Sequence, residues 1–420
     1  MAMQAVRAGR FDAGPVDLPY ELRYVARQPI LNLHGRVHGY ELLFRNGAES
    51  AFRGDGDLAT RTMLDNAVMF GLETLTCGLP AFVNCTEEAL KRNLVQVLPS
   101  GMAVLEILET IDPRPEIVQA CRRLKAAGYR IALDDFVWEP RFEPFVEIAD
   151  YIKVDFSLSN AEERRQLFSK LRDVTIAFVA EKVETEEQFE QARREGFTLV
   201  QGYYFCRPVL MENRKVPANR LSQIEILRLL RAETPDLGEL TRLVKRDASL
   251  TYRLLRLVNS PLAAMRQEVT SIREALIAVG EDAFRRIATL AITSELSAGK
   301  PSEILRMAFV RGRFCEAAAP QHHMDATEQY LLGILSLLPA MLGASMSSLT
   351  PYLPLREEIR RALEGSPVQE GCLLDWILHH EQGDWPACDR LAAAHGLNSE
   401  DLIDCYTQAV AWAETALRFA

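Results

Sequence analysis

RIALDDFVWEPRFEPFVEIADYIKVD, residues 130–155, contains two short β-type runs of one design. Ile131, Ala132 and Leu133 lead into Asp134 and Asp135, and Tyr151, Ile152 and Val154 enclose Lys153 before Asp155. Runs that are apolar almost throughout suit strands buried on both faces, where an ionisable side chain is costly unless it is paired or has a task. The design recurs outward in both directions, in YVARQPI (24–30), HGYELLF (38–44), AFVN (81–84), AVLEIL (103–108), IAFVAEKV (176–183) and LVQGYY (199–204).

Most of these runs are separated by stretches with helical spacing. In EIVQACRRLKAAG (116–128), Ile117, Cys121 and Leu124 share a face and Gly128 supplies the stop; EEQFEQARREG (186–196) also closes on glycine. Alternating strands and helices predict a parallel sheet covered by helices, and eight such runs predict closure into a (β/α)8 barrel. Chemistry in that fold belongs at the C-terminal strand ends. The polar residues there are Glu41, Asn84, Glu106, Asp134, Asp135, Lys153, Asp155, Glu181 and Gln201.

Each has an ordinary reading alone. Glu41 could be a solvated strand residue, Asn84 could cap the segment TEEALKRN, and Lys153 could pair with Asp155. Together, polar groups on seven apolar runs point to a shared site. Carboxylates so gathered repel one another unless a cation lies among them, and hard divalent ions such as Mg²⁺ or Mn²⁺ favour oxygen ligands. A phosphodiester hydrolase using two divalent ions is the natural reading.

Composition bounds the partners. The 420 residues, 48% hydrophobic and 25% charged, are globular in profile and long enough for two domains. The net charge of −10 is spread over both halves, with 25 Lys+Arg against 31 Asp+Glu in residues 1–210, so no basic surface for a nucleic acid polymer is expected. The first residues lack an apolar signal core, and the longest apolar stretch, Tyr330 to Met346, is short of a bilayer span and contains Pro339; it predicts a buried bundle helix. Eight cysteines without a C-x-x-C pair suit reduced thiols. A cytoplasmic protein with no membrane segment is expected.

The motif series resembles the EAL domain family. Its carriers are Gln28-Pro29-Ile30, Glu41-Leu42-Leu43-Phe44-Arg45, Phe82-Val83-Asn84, Glu106 to Glu109, Asp134-Asp135-Phe136, Lys153-Val154-Asp155, Glu181 to Thr185, and Gln201-Gly202-Tyr203. The resemblance implies a TIM-like barrel that hydrolyses or senses cyclic di-GMP. It implies that Glu41, Asn84, Glu106 and Asp134 hold a first metal, and that Asp135 helps with a second. Lys153 would orient water or phosphate, Glu181 would support proton transfer, Gln28, Arg45 and Gln201 would contact the dinucleotide, and Glu109 would brace a loop. A homodimer is implied as well.

Two departures stand out. Leu42 replaces the family's alanine, a packing change, and Phe136 is followed by Val137-Trp138-Glu139-Pro140-Arg141 in place of a glycine-rich loop. Without glycines that loop cannot adopt positive φ cheaply. The alternative to an enzyme is therefore a degenerate barrel acting as a cyclic di-GMP receptor or a protein-interaction scaffold.

Beyond Pro208 the β runs cease. LSQIEILRLLRA (221–232), LGELTRLVKRD (237–247), SLTYRLLRLVNS (249–260) and SIREALIAVG (271–280) read as helices, the last with a capping box at Ser271 and Glu274 and a stop at Gly280. Segments 247–275 and 333–338 resemble HDOD domains, helical relatives of the HD phosphohydrolases that generally lack the metal-binding His-Asp pair and would bind a protein partner here. No adjacent His-Asp pair occurs; His322-His323 reads as a loop cluster and His379-His380 as a helix end. The expected organisation is an N-terminal tail (1–20), an EAL barrel (21–210), a linker (211–219) and a helical HDOD domain (220–420).

Overall fold

A computed structural model describes residues 23–46, 72–206, 248–260, 269–297, 300–353 and 355–418, together with Ile226, Val244 and Ala263. The expected tail, the linker and the helices at 221–232 and 237–247, these two single helical positions apart, lie outside the described residues. So does the side chain of Arg45.

Eight strands close into one barrel in chain order. They are β1 (Arg23–Asn32), β2 (Val37–Asn46), β3 (Ala81–Cys85), β4 (Ala103–Ile107), β5 (Arg130–Leu133), β6 (Tyr151–Asp155), β7 (Ala177–Glu181) and β8 (Leu199–Gln201). Strands β2 to β8 are parallel, but β1 runs antiparallel to both its neighbours, which corrects the expectation of an all-parallel sheet. The cause is the short link between β1 and β2. Asn32 Oδ1 accepts from the N–H groups of His34 and Arg36, Gly35 takes φ 71°, and the chain reverses in a hairpin too short for a crossover helix.

Period-two alternation divides the barrel interior into layers. The base holds Ile30, Phe82, Val104, Ala132, Tyr151, Val179 and Leu199, buried together as a separate cluster. On β2 this level falls at Gly39, where a Cβ would lie 2.6 Å from the Pro80 carbonyl oxygen, so a side chain has no room. Two residues further toward the mouth on β2 to β7, directly after Leu133 for β5, come Glu41, Asn84, Glu106, Asp134, Lys153 and Glu181, with Gln201 on β8. On antiparallel β1 the polar residue instead precedes its apolar partner, as Gln28 precedes Ile30.

Crossover helices α1 (Pro115–Ala126), α2 (Ala161–Lys170) and α3 (Glu186–Glu195) cover the parallel strands. Capping boxes start α2 at Asn160 and α3 at Thr185, and Gly196 at φ 104° ends α3. The remainder is helical: α4 (Ala248–Val258), α5 (Ile272–Val279), α6 (Glu281–Leu296), α7 (Ser302–Ala318), α8 (Ala326–Leu335), α9 (Cys372–Glu381), α10 (Trp385–His395) and α11 (Ser399–Leu417). Ser271 caps α5 by accepting from Glu274 N, as its sequence implies.

The apolar stretch 330–346 is not one helix. It breaks after Leu335, and Pro339 falls in the first turn of a short helix, Leu338–Leu342, where its missing N–H does no harm. Among the described residues no helix is long and apolar enough to cross a membrane. The described cysteines are free thiols.

The hairpin has a second consequence: among the described residues no crossover helix links β1 to β2, and α9 and α11 pack against β1. Tyr40 donates to Glu303 Oε2 at 2.9 Å, Arg306 bridges Glu303 and Glu414, and the buried guanidinium of Arg27 lies 4.8 Å from the Tyr40 ring centre while donating to the Leu75 carbonyl. The helical part is thus seated directly on the barrel wall.

Candidate active site

The polar layer converges on one ammonium. Lys153 Nζ lies 3.0 Å from Glu41 Oε2, 2.8 Å from Glu106 Oε1, 2.7 Å from Asp134 Oδ1 and 2.9 Å from Glu181 Oε1. Its side chain is 1% exposed and that of Glu106 is fully buried. These four carboxylates come from β2, β4, the end of β5, and β7, so the ring exists only once the barrel closes.

The amides complete it. Asn84 donates to Glu41 Oε1 at 3.2 Å, and Gln201 Nε2 donates to Glu41 Oε2 at 2.7 Å and to Gln28 Oε1 at 3.0 Å. Gly202 follows Gln201 because its backbone lies against β7's exit; a Cβ there would fall 2.1 Å from the Val183 carbonyl oxygen.

One ammonium among four carboxylates leaves an excess of negative charge, and the acids respond unequally. Burial and the neighbouring Glu41 carboxylate push Glu106 well above the usual range. Burial, with Asp134 and Glu41 nearby, pushes Glu181 up to about 8 against the pull of Lys153. Asp134 is raised chiefly by burial. For Glu41 burial acts upward too, but Lys153 and the donors Gln201 and Asn84 outweigh it and hold the carboxyl below its ordinary value. Burial works against the charge on Lys153, yet the four acids keep it firmly protonated.

The donor set fits a hard divalent cation. Asn84 Oδ1, Glu106 Oε2 and Glu181 Oε2 are buried oxygens with no hydrogen-bond donor, and the ring carries more negative charge than its lysine offsets. Among the described residues no three acidic or imidazole groups stand disposed around a metal position, because the carboxylates face the ammonium. An entering ion would share those oxygens with Lys153.

The mouth above the ring has its own cluster. Asp155 accepts from Ser157 N, Ser157 Oγ and Leu158 N, and pairs with Lys182, whose ammonium is also 3.8 Å from Asp135. Asp135 takes φ 41° and Lys182 φ 54°. In the loop after Asp135 no residue of the stretch 136–142 has positive φ; the turn is made at Asp135 itself. Phe136 is buried there and meets the rings of Trp138 and Phe142 edge-on, so aromatic packing sets the path in place of glycines.

A cavity of about 220 Å³ opens under this loop beside Asp134 and Asp135. Glu109 is exposed on its rim, and Arg141 of the loop pairs with Asp112 and Glu139. Gln28 Nε2 is 3.4 Å from the backbone oxygen of Gln382, placing the end of α9 at the rim of the polar layer.

The histidine pairs lie in a packed helix end and in a turn. His379 meets Asp384 at the end of α9, while His380 is enclosed by the rings of Trp376, Trp385 and Tyr406 and is held neutral by burial, its pKa lowered to about 3. His323 lies in a turn at φ 56°.

Comparison with known proteins agrees with this architecture. The EAL domain model matches residues 80–208 and the HDOD domain model residues 217–346. The chain is 34% identical to the cyclic di-GMP phosphodiesterase CdgJ of Vibrio cholerae, over 93% of this chain and 92% of that protein. The chain belongs to the EAL-HDOD family. YuxH of Bacillus subtilis, an uncharacterized protein, is 32% identical over 93% of this chain and 97% of its own length. A solved complex of Klebsiella pneumoniae BlrP1 with calcium and cyclic di-GMP aligns with a TM-score of 0.38 at 22% identity, covering 45% of this chain and 56% of that one. Phosphodiesterases of the EAL family depend on divalent metal ions.

Proposed function

We propose that this EAL-HDOD protein is a metal-dependent phosphodiesterase that opens one phosphodiester bond of cyclic di-GMP to give linear pGpG. The observation that carries the reading is the buried ring of four carboxylates around Lys153, its oxygens incompletely satisfied, in a chain alike over nearly its whole length to a phosphodiesterase of that substrate.

Glu41, Asn84, Glu106 and Asp134 would hold a divalent ion, Mg²⁺ or Mn²⁺. Such an ion, when bound, supplies charge for the phosphate and a water of lowered pKa. Lys153 orients phosphate or water from the ring's centre, and Glu181, whose pKa is already raised toward neutrality, exchanges the water's proton. The water oxygen joins phosphorus as the bond to the 3′-oxygen breaks, and that oxygen leaves with a proton. Gln28 and Gln201, paired with each other beside the ring, would contact the dinucleotide, Asp135 stands at the mouth, and Arg45, further along β2, would be a phosphate ligand through its bidentate fork. The helical HDOD part is the output arm, for a protein partner.

Chromatography of the nucleotides after incubation with Mn²⁺ tests this. Wild type is expected to form pGpG, and Glu41→Ala and Asp134→Asn to lose turnover while keeping the circular dichroism of wild type. Saturable binding of cyclic di-GMP with no product would make the barrel a receptor instead.

A further inference from the structure

Lys182 carries a cation to the mouth of the site in an uncommon way. It directly follows Glu181 and has a left-handed backbone, φ 54°, a conformation that costs a non-glycine residue about 1 kcal/mol or more. Ladder bonds pin it on both sides, Phe156 N to Glu181 O at 3.1 Å and Val183 N to Gln201 O at 3.0 Å. Asp135, at φ 41°, is pinned in the same manner by Asp134 N to Ile107 O and Phe136 N to Lys153 O.

The two residues flank the end of β6 from either side, and both turn toward Asp155 there. The outcome is an ammonium paired with the 6%-exposed carboxylate of Asp155 and 3.8 Å from Asp135. Glu181, the neighbouring residue in the chain, is itself 7% exposed and keeps one buried oxygen without a donor. Outside the inner ring, then, the acids Asp135 and Asp155 already share a cation that the chain supplies.

We propose that Lys182 is the outer cation of this site, so that the barrel takes up one exchangeable divalent ion, in the ring around Lys153, rather than two. The proposal rests on the phosphodiesterase reading above and specifies its metal content. It makes Lys182 a positioning residue: the ammonium pairs with Asp155, lies 3.8 Å from Asp135, and offsets negative charge beside Asp135, the carboxylate that a second divalent ion would use. Ammonium and divalent ion compete for the same oxygens, and a tethered ammonium is always present at the site.

Titration of the metal-free, full-length chain with Mn²⁺, read as the loss of the free-ion electron paramagnetic resonance signal, decides it without reference to activity. Wild type is expected to bind one Mn²⁺ per chain, Lys182→Met two, and Lys182→Arg one. Lys182→Gly, which accepts the positive φ without strain, should also bind two and serves if the methionine variant folds poorly. Two ions in wild type, or one in wild type and in both uncharged variants, would overturn the proposal. Loss of the wild-type ion in Glu41→Ala would place it in the ring. Absence of any bound Mn²⁺ in wild type would instead remove the phosphodiesterase reading on which the proposal depends.

Discussion

Two buried charge clusters, one in the barrel and one in the helical part, differ in a single respect. Arg311 of α7 and Glu381 of α9 form a closed pair, with Arg311 Nη2 donating to Glu381 Oε2 at 2.7 Å, Nε reaching both carboxylate oxygens, and Nη1 donating to Ser336 Oγ at 3.1 Å. One guanidinium faces one carboxylate here, and the backbone oxygen of Glu381 accepts from Tyr203 at the barrel rim. The Lys153 cluster is equally buried but sets four carboxylates against one ammonium. A matched pair holds structure together; an excess of buried carboxylates is tolerated only by taking up protons or another cation. Charge balance, more than burial, separates the joint from the site.

Breaking the matched pair should have the largest effect. Arg311→Met leaves Glu381 buried without its counter-ion and is expected to destabilise the protein by about 3–5 kcal/mol, seen as a lower urea midpoint. Arg311→Met with Glu381→Met removes both charges and should recover most of that loss. If the single variant unfolds no more readily than wild type, the contrast between joint and site is wrong.

Removing the cation from the unmatched cluster should act on chemistry. Lys153→Met is expected to lower kcat by about 10²–10³-fold, the scale of deleting one preorganised electrostatic group. The metal-free form should also unfold more readily than wild type, and Mn²⁺ should restore part of the difference by replacing the missing positive charge.

Proton uptake by the excess acids predicts a pH dependence of a definite sign. Glu181 titrates at about 8 in the fold against about 4.5 for a free glutamate, so between these values the native state holds a proton that the unfolded chain does not. Stability of the metal-free protein from this group is therefore fully present at low pH and falls as pH rises through 8. A divalent ion displaces that proton, so apparent Mn²⁺ affinity should rise from pH 6 to 8.5, with proton release detectable by calorimetry in buffers of different ionisation enthalpy. Affinity independent of pH would show that Glu181 does not share the ion's field.

The smallest effect concerns the place where the two regions meet. Gln28→Ala removes a partner of Gln201 and the long contact to the Gln382 carbonyl, and should raise KM for cyclic di-GMP several-fold with little change in kcat, about 1 kcal/mol for a rim hydrogen bond. A drop in kcat alone would place Gln28 among the reacting groups.

Much of this was legible in the chain. The apolar runs with a polar residue two places from a buried one describe the layers of the barrel interior, because period-two alternation is local geometry. Asn84, Glu106, Asp134, Lys153 and Glu181 were all recognisable on that ground. The reversed strand was legible too: Gln28 precedes Ile30 where the other strands show the opposite order, and residues 31–37 are too few for a crossover. Alternation of strand and helix elsewhere overrode that signal. Lys182 had no such cue, since its left-handed backbone and its pairing across β6 arise from ladder bonds between strands distant in sequence.

The sequence by itself determined which residues face inward, which stretches are helical, and that acids outnumber bases in the barrel, because burial patterns and turn chemistry depend on neighbours along the chain. Only the tertiary structure decided that four of those acids meet one lysine, that a second lysine serves the mouth, that aromatic packing shapes the loop after Asp135, and that helices from the far end of the chain cover β1. Those outcomes follow from closure of the barrel and from the hairpin, whose short link has no room for a crossover helix between β1 and β2. Closure brings charges from five separate strands within a few ångströms, and pairing at that range depends on distance in space, which residue spacing does not encode.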